Sequence, residues 1–74
     1  MIAAATETIG QRIRRLRLDT ELTQRELAHL LFGGADRHEH RVTAWEAGRA
    51  HPRINDIPAV AAVLHCSTDY LLSG

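Results

Sequence analysis

Apolar residues recur at helical spacing along most of the chain and mark out a series of short amphipathic segments. Ile9, Ile13 and Leu16 fall four and three apart, on one face of a first helix that Thr6 or Thr8 can cap. Leu27, Ala28, Leu30 and Leu31 make an apolar face on a second. Thr23 is its candidate N-cap and Glu26 follows three residues later, the capping-box spacing. Val42 and Trp45, three apart, give a third segment only a narrow stripe, and Gly48 can supply the left-handed residue that stops it. The same register makes Trp45 a core residue and not a base-stacking one. Ile57, Val60, Ala61 and Leu64 form the inner face of a fourth, begun at Asn55 or Asp56, with Pro58 in the first turn where a missing N–H costs little. Ser67 can cap a last short helix whose Tyr70 and Leu71 close the core. The expectation is an all-α fold over residues 6–74, preceded by a small-residue tail from Met1 to Ala5.

The stretch from Leu22 to Gly48 stands out. Phe32-Gly33-Gly34-Ala35 interrupts the second helical pattern, because adjacent glycines lose the most chain entropy on ordering. Asp36-Arg37-His38-Glu39 then repeats the cap logic with a carboxylate at each end. Two helices joined by a short glycine-bearing turn match the helix-turn-helix motif. The competing reading is an ordinary helical hairpin in a small bundle. Against it stand Arg37, His38, Glu39, His40, Arg41 and Thr43, which crowd the N-terminal half of the third helix with long or forked hydrogen-bonding groups. That is the half of a recognition helix that meets base edges in the major groove. At the start of the second helix, free N–H groups and the dipole favour a phosphate beside Thr23 and Gln24. The Gln24 amide can also brace a recognition-helix side chain or a base.

Composition bounds these readings. With 74 residues there is room for one domain, and a chain of this size buries only about 60% of its unfolded surface. Hydrophobic content is 45% with three aromatics, so the core is mainly aliphatic. The lone Cys66 cannot form an internal disulfide and reads as a small buried thiol in a reducing cytoplasm. No apolar run is long enough to span a bilayer. Net charge is zero, nine arginines against nine acids, whereas a DNA-binding domain is expected to be basic. All nine arginines precede Ile54 along with only seven of the acids, so residues 1–53 carry +2. Five histidines can add charge where a negative field raises their pKa. Few phosphate contacts and a modest salt dependence follow. Arg12, Arg14, Arg15 and Arg17 read mostly as a solvated basic face on the first helix.

Taken together, Ile9-Gly10-Gln11-Arg12-Ile13-Arg14-Arg15-Leu16-Arg17, Leu22-Thr23-Gln24, Glu26-Leu27-Ala28, Val42-Thr43-Ala44-Trp45-Glu46-Ala47-Gly48-Arg49, Pro52 and Ser67-Thr68-Asp69-Tyr70-Leu71-Leu72 closely resemble the Cro/phage-repressor (XRE-type) helix-turn-helix family. The resemblance runs from about Ile9 to the last residue. It implies a compact five-helix, lambda-repressor-like domain that binds double-stranded operator DNA and regulates transcription, as a repressor and as a homodimer. Anchored on Val42, the family's base-reading positions fall on Glu39, His40, Arg41, Thr43 and Ala44. Arg37 and His38 have no counterpart there. Arg41 can fork onto a guanine and Glu39 can accept from cytosine N4, or else Glu39 orients Arg37 or Arg41 by ion pairing. Arg49, His51 and Arg53 occupy the loop with which the family grips the DNA backbone, Arg49 foremost.

Two features depart from the family. Glu21 stands where relatives often place Gly or Asn, so it must accept left-handed strain or take another turn geometry. The connection between Ala28 and Val42 is longer than the family's by roughly four residues, against the short turn expected. Either Asp36 caps an N-terminally extended recognition helix, which its pairing with Glu39 favours, or Phe32 to His38 form a longer loop and the helix starts near Glu39.

Other function classes find less in the chain. His38 and His40 are the one histidine pair that looks like a metal motif, but residues i and i+2 of a helix point apart. There is no cysteine pair and no phosphate-cradling glycine motif, so no catalysis, cofactor or metal is expected. Zero net charge keeps a protein-interaction module, of antitoxin or antirepressor type, as the alternative.

Overall fold

The computed structural model describes residues 7–34 and 38–73. Among them lie five helices in the order α1 (Ile9–Asp19), α2 (Gln24–Phe32), α3 (Glu39–Ala47), α4 (Ile57–Val63) and α5 (Thr68–Ser73). The fold is all-α, with no strand among the described residues. No described helix is long and apolar enough to cross a membrane.

The first two helices start on reciprocal caps. The Thr8 hydroxyl accepts from Gln11 N–H at 3.1 Å while Gln11 Oε1 accepts from Thr8 N–H at 2.9 Å. Thr23 and Glu26 repeat the arrangement at 3.0 and 2.8 Å. Ser67 caps α5 by accepting from Tyr70 N–H at 2.9 Å. Three connections close with one device, the Schellman pattern, in which a left-handed residue lets two N–H groups turn back onto the last helical carbonyls. Leu22 N–H reaches Arg17 O past Glu21 (φ 62°), Arg49 N–H reaches Ala44 O past Gly48 (φ 80°), and Cys66 N–H reaches Ala61 O past His65 (φ 59°). Glu21 therefore accepts the left-handed strain and does not adopt another turn.

The extended form of the recognition helix is not adopted. α3 starts at Glu39, and His38 stands at its cap with no side-chain cap hydrogen bond. The helix thus starts where the second arrangement puts it, near Glu39, while α2 runs on to include Phe32. The expected cap Asp36 lies outside the described residues, as do Arg37, Thr6 and the Met1–Ala5 tail. Two positive-φ glycines, Gly33 and Gly34, end α2, and His29 Nδ1 donates to Gly34 O at 2.9 Å. Phe32 then carries the connection inward, its ring 4.9 Å from that of His38 and 6.0 Å from that of Trp45.

Ile13, Leu27, Ala28, Val42, Trp45, Ile57, Val60, Ala61, Leu64 and Leu71 form the buried core, to which every helix contributes. Each large apolar side chain removed from water is worth about 1.5–3 kcal/mol, so no single helix is held by its own propensity. Tyr70 does not close that core. It is 44% exposed, and Leu71 alone of the pair is buried. The basic face of α1 is also only partly solvated, since Arg12 and Arg17 are buried. Arg12 donates to Glu7 at 2.9 Å and to Tyr70 O at 2.7 Å. Arg15 reaches the same Glu7 carboxylate at 2.9 Å and the Tyr70 hydroxyl at 2.8 Å. This cluster ties the start of α1 to α5. Cys66 is half-buried, and burial pushes its thiol pKa up, leaving little reactive thiolate.

Candidate nucleic-acid interface

Val42 and Trp45 face inward on α3, 0% and 4% exposed, and this fixes the rotation of the helix. At 100° per residue, the arc opposite them belongs to His40, Thr43, Ala44 and Ala47, with Glu39 and Arg41 on its two flanks. Exposure follows the geometry. His40 and Ala47 are exposed, whereas Glu39, Arg41, Thr43 and Ala44 are half-buried. Glu39 lies in the first turn, where a carboxylate suits the helix dipole.

Arg41 sits over the last residue of α2, its guanidinium carbon 4.9 Å from the centre of the Phe32 ring. On that side α3 faces the segment after Gly48 across a shallow cleft of about 230 Å³. His40, Arg41 and Ala44 form one wall, and Ala50, His51 and Arg53 the other. Three of the expected base-reading positions, His40, Arg41 and Ala44, thus share a groove with two of the expected backbone-gripping residues, His51 and Arg53. Arg49 and Arg53 are exposed, and Pro52 between them is buried, so the loop is anchored while its basic side chains remain in solvent. His38 does not line this cleft. It is half-buried beside Phe32, while His40 is exposed on the outer arc.

On the other flank a hydrogen-bonded chain links three helices. Arg17 of α1 donates from Nε and Nη2 to the two Glu46 oxygens at 2.7 and 2.9 Å, with side chains 9% and 4% exposed. This bidentate pairing holds the Arg17 pKa above its usual range. Arg17 Nη1 donates to Leu22 O at 2.8 Å, which also steadies the α1–α2 turn. Gln24, first residue of α2, donates from Nε2 to Glu46 at 3.1 Å and accepts from the Thr43 hydroxyl at 2.7 Å. Gln24 therefore braces the recognition helix, one of its expected roles, and retains one amide hydrogen for an outside acceptor. Thr23 is committed as a cap through its N–H and hydroxyl oxygen, and its hydroxyl proton remains to be given.

Arg17 and Glu46 escaped the sequence reading, although a signal was there. Each sits four residues after a core position, Ile13 and Val42, on an inward register with opposite charges.

No protein-family model matches the chain. Over 68 residues it is 38% identical to the HTH-type transcriptional regulator DicA of Escherichia coli (strain K12), an alignment covering 90% of this chain and 47% of that protein. The chain thus spans about half the length of that curated relative. Its fold matches the P22 c2 repressor, solved in complex with synthetic operator 9T in the presence of Tl+, with TM-score 0.80 and 30% identity over 93% of this chain and 98% of that one. At 30% identity over 98% of that repressor chain, and 38% identity to DicA, the chain belongs to the Cro/phage-repressor (XRE-type) helix-turn-helix family.

Proposed function

We propose that the chain binds double-stranded operator DNA as a sequence-specific transcriptional regulator, setting α3 in the major groove and repressing by covering a promoter. The observation that supports it best is the outward arc of α3. Thr43 stands beside Gln24 at the start of α2, and His40, flanked by Glu39 and Arg41, shares its outward arc, in a fold shared with an operator-bound repressor. In this reading Glu39, His40, Arg41 and Thr43 meet base edges. Gln24 and Thr23 approach a phosphate at the α2 N-terminus, and Arg49 and Arg53 grip the backbone. Arg37 and His38 would join from the connection. The active form is a homodimer over two half-sites about 34 Å apart, in the cytoplasm and without catalysis or cofactor.

One observation favours the alternative, a protein-interaction module of antitoxin or antirepressor type. The chain has no net charge, and Arg12, Arg15 and Arg17 are already paired with Glu7 and Glu46. Selection of bound duplexes from a random pool at several salt concentrations separates the two. Recovery of a two-fold related sequence, with affinity falling as salt rises, supports operator binding. Failure to retain any duplex at low ionic strength would favour the protein partner.

A further inference from the structure

The Gln24 amide sits between a carboxylate and a hydroxyl, and the direction of every proton in that chain is set from one end. Arg17 occupies both Glu46 oxygens with N–H donors, so Glu46 is a carboxylate with only lone pairs to offer. Gln24 must turn its NH2 toward Glu46. Reversed, its carbonyl would face an acceptor oxygen beside a nearly buried charge. The carbonyl is left facing Thr43 Oγ1 at 2.7 Å, and a carbonyl cannot donate, so the shared proton belongs to Thr43 and points inward. The other close partner of that hydroxyl is Glu39 O at 3.2 Å, again an acceptor. Both neighbours claim the one proton Thr43 has. Toward the outer arc of α3 the side chain therefore presents lone pairs and a methyl group, and no donor.

A threonine hydroxyl at a base edge is ordinarily ambivalent, because it can give or take a hydrogen bond. We infer that Thr43 reads in one direction only, accepting from the exocyclic amino group of adenine or cytosine, with Glu46 and Arg17 as the positioning residues that fix this polarity. The inference rests on the DNA-reading role of α3 proposed above. It names the base chemistry that position takes, and it assigns Glu46 a part in specificity although its side chain is turned into the protein.

The test uses the whole chain and an operator recovered from the random pool. Thr43→Val keeps the branched shape and deletes only the hydroxyl, and a set of single-base-pair variants locates the position where it loses discrimination. There, adenine is replaced by purine, or cytosine by 2-pyrimidinone, each lacking only the amino group. The wild type should lose about twofold to tenfold more affinity than Thr43→Val does, the range of one neutral hydrogen bond. A 7-deazapurine at the same base pair, which lacks an acceptor, should leave the ratio of the two proteins unchanged. Glu46→Gln, which can donate to Gln24 and so reverse the chain, should erase or invert the amino preference.

A ratio that responds to 7-deazapurine and ignores the amino group would overturn the inference. So would a Thr43→Val protein with the discrimination of the wild type at every position, or a folded Glu46→Gln protein with an unaltered amino preference. Thr43→Val decides the matter even if Glu46→Gln fails to fold. If the wild type selects no duplex at all, it is operator binding that fails, and the two failures are distinct.

Discussion

A β-carbon built on Gly10 would stand 1.9 Å from the carbonyl oxygen of Trp45 and 2.9 Å from its carbonyl carbon. Gly10 is thus the point where α1 lies directly on the backbone of α3, and no neighbour there is a flexible side chain that could move aside. Gly10→Ala must push the two helices apart. Overpacking ordinarily costs about 1–3 kcal/mol, and a clash with backbone belongs at or above the upper end. The expected outcome is an unfolding free energy, from urea titration, lowered by about 3 kcal/mol or more, with operator affinity lost as α3 tilts. A Gly10→Ala protein as stable as the parent would show that the helices have room this structure does not give them.

Glu21 and His65 hold left-handed φ values of 62° and 59°, and both side chains are exposed. For a residue with a β-carbon that conformation costs roughly 1–2 kcal/mol, while glycine brings back an entropic cost of about 0.5–1 kcal/mol. Glu21→Gly and His65→Gly should each stabilise by up to about 1 kcal/mol, raising the melting temperature by up to about 4–8 °C in a domain of this size. The two sites end different helices, so their effects should add. Thermal melting of the single and double variants checks this. A drop in both singles would show that the side chains make compensating contacts.

What the sequence yields and withholds follows from where the signals lie. α1, α2 and α4 have an apolar face at helical spacing, and Thr8, Thr23 and Ser67 are capping residues whose roles are local, so each could be read without knowing its neighbours. α3 has only Val42 and Trp45 to set its rotation, and this suffices to place Glu39, His40, Arg41 and Thr43 on or beside the outer arc. Its start was not legible, because Asp36 and Glu39 carry the letters of a cap while the helix begins after His38. Arg12 and Arg17 read as solvated because a charge in an amphipathic pattern normally is. Their burial depends on Glu7, Tyr70 and Glu46, partners contributed by other parts of the fold. Gly10 carries no local signal either, since its role exists only where two helices cross.

Glu7 gives a prediction in pH. Arg15 and then Arg12 hold its carboxyl down from the ordinary 4.5 to about 2. A carboxylate whose folded pKa is depressed contributes stability above the unfolded value and loses it as pH falls through the folded one. The contribution of Glu7 should be complete above about pH 5, shrink between 4.5 and 2, and vanish below that window. The quantity that isolates this group is the melting-temperature difference between wild type and Glu7→Gln. That difference should be positive at neutral pH and close toward zero by pH 2. A constant difference across the range would mean that the Arg12–Glu7–Arg15 cluster does not hold α1 to α5.

Arg41 and Arg49 should separate base reading from backbone gripping. Arg41 is stored over the Phe32 ring beside the cleft that α3 shares with the following loop, so it can swing toward a base edge from a defined resting place. Its fork suits guanine O6 and N7, and Arg41→Ala should lose roughly 1–3 kcal/mol of binding and relax the choice at one base pair. Arg41→Lys should recover little of this, because an ammonium cannot make the paired contact. Arg49 lies just past Gly48, exposed and without a base edge assigned to it. Arg49→Ala should weaken specific and random duplexes alike and flatten the dependence of log Kd on log salt by about one charge. Titrations of both variants on the selected operator and a scrambled duplex, at two or more salt concentrations, decide the point. Equal losses on both duplexes for both variants would remove the division of labour between α3 and the loop.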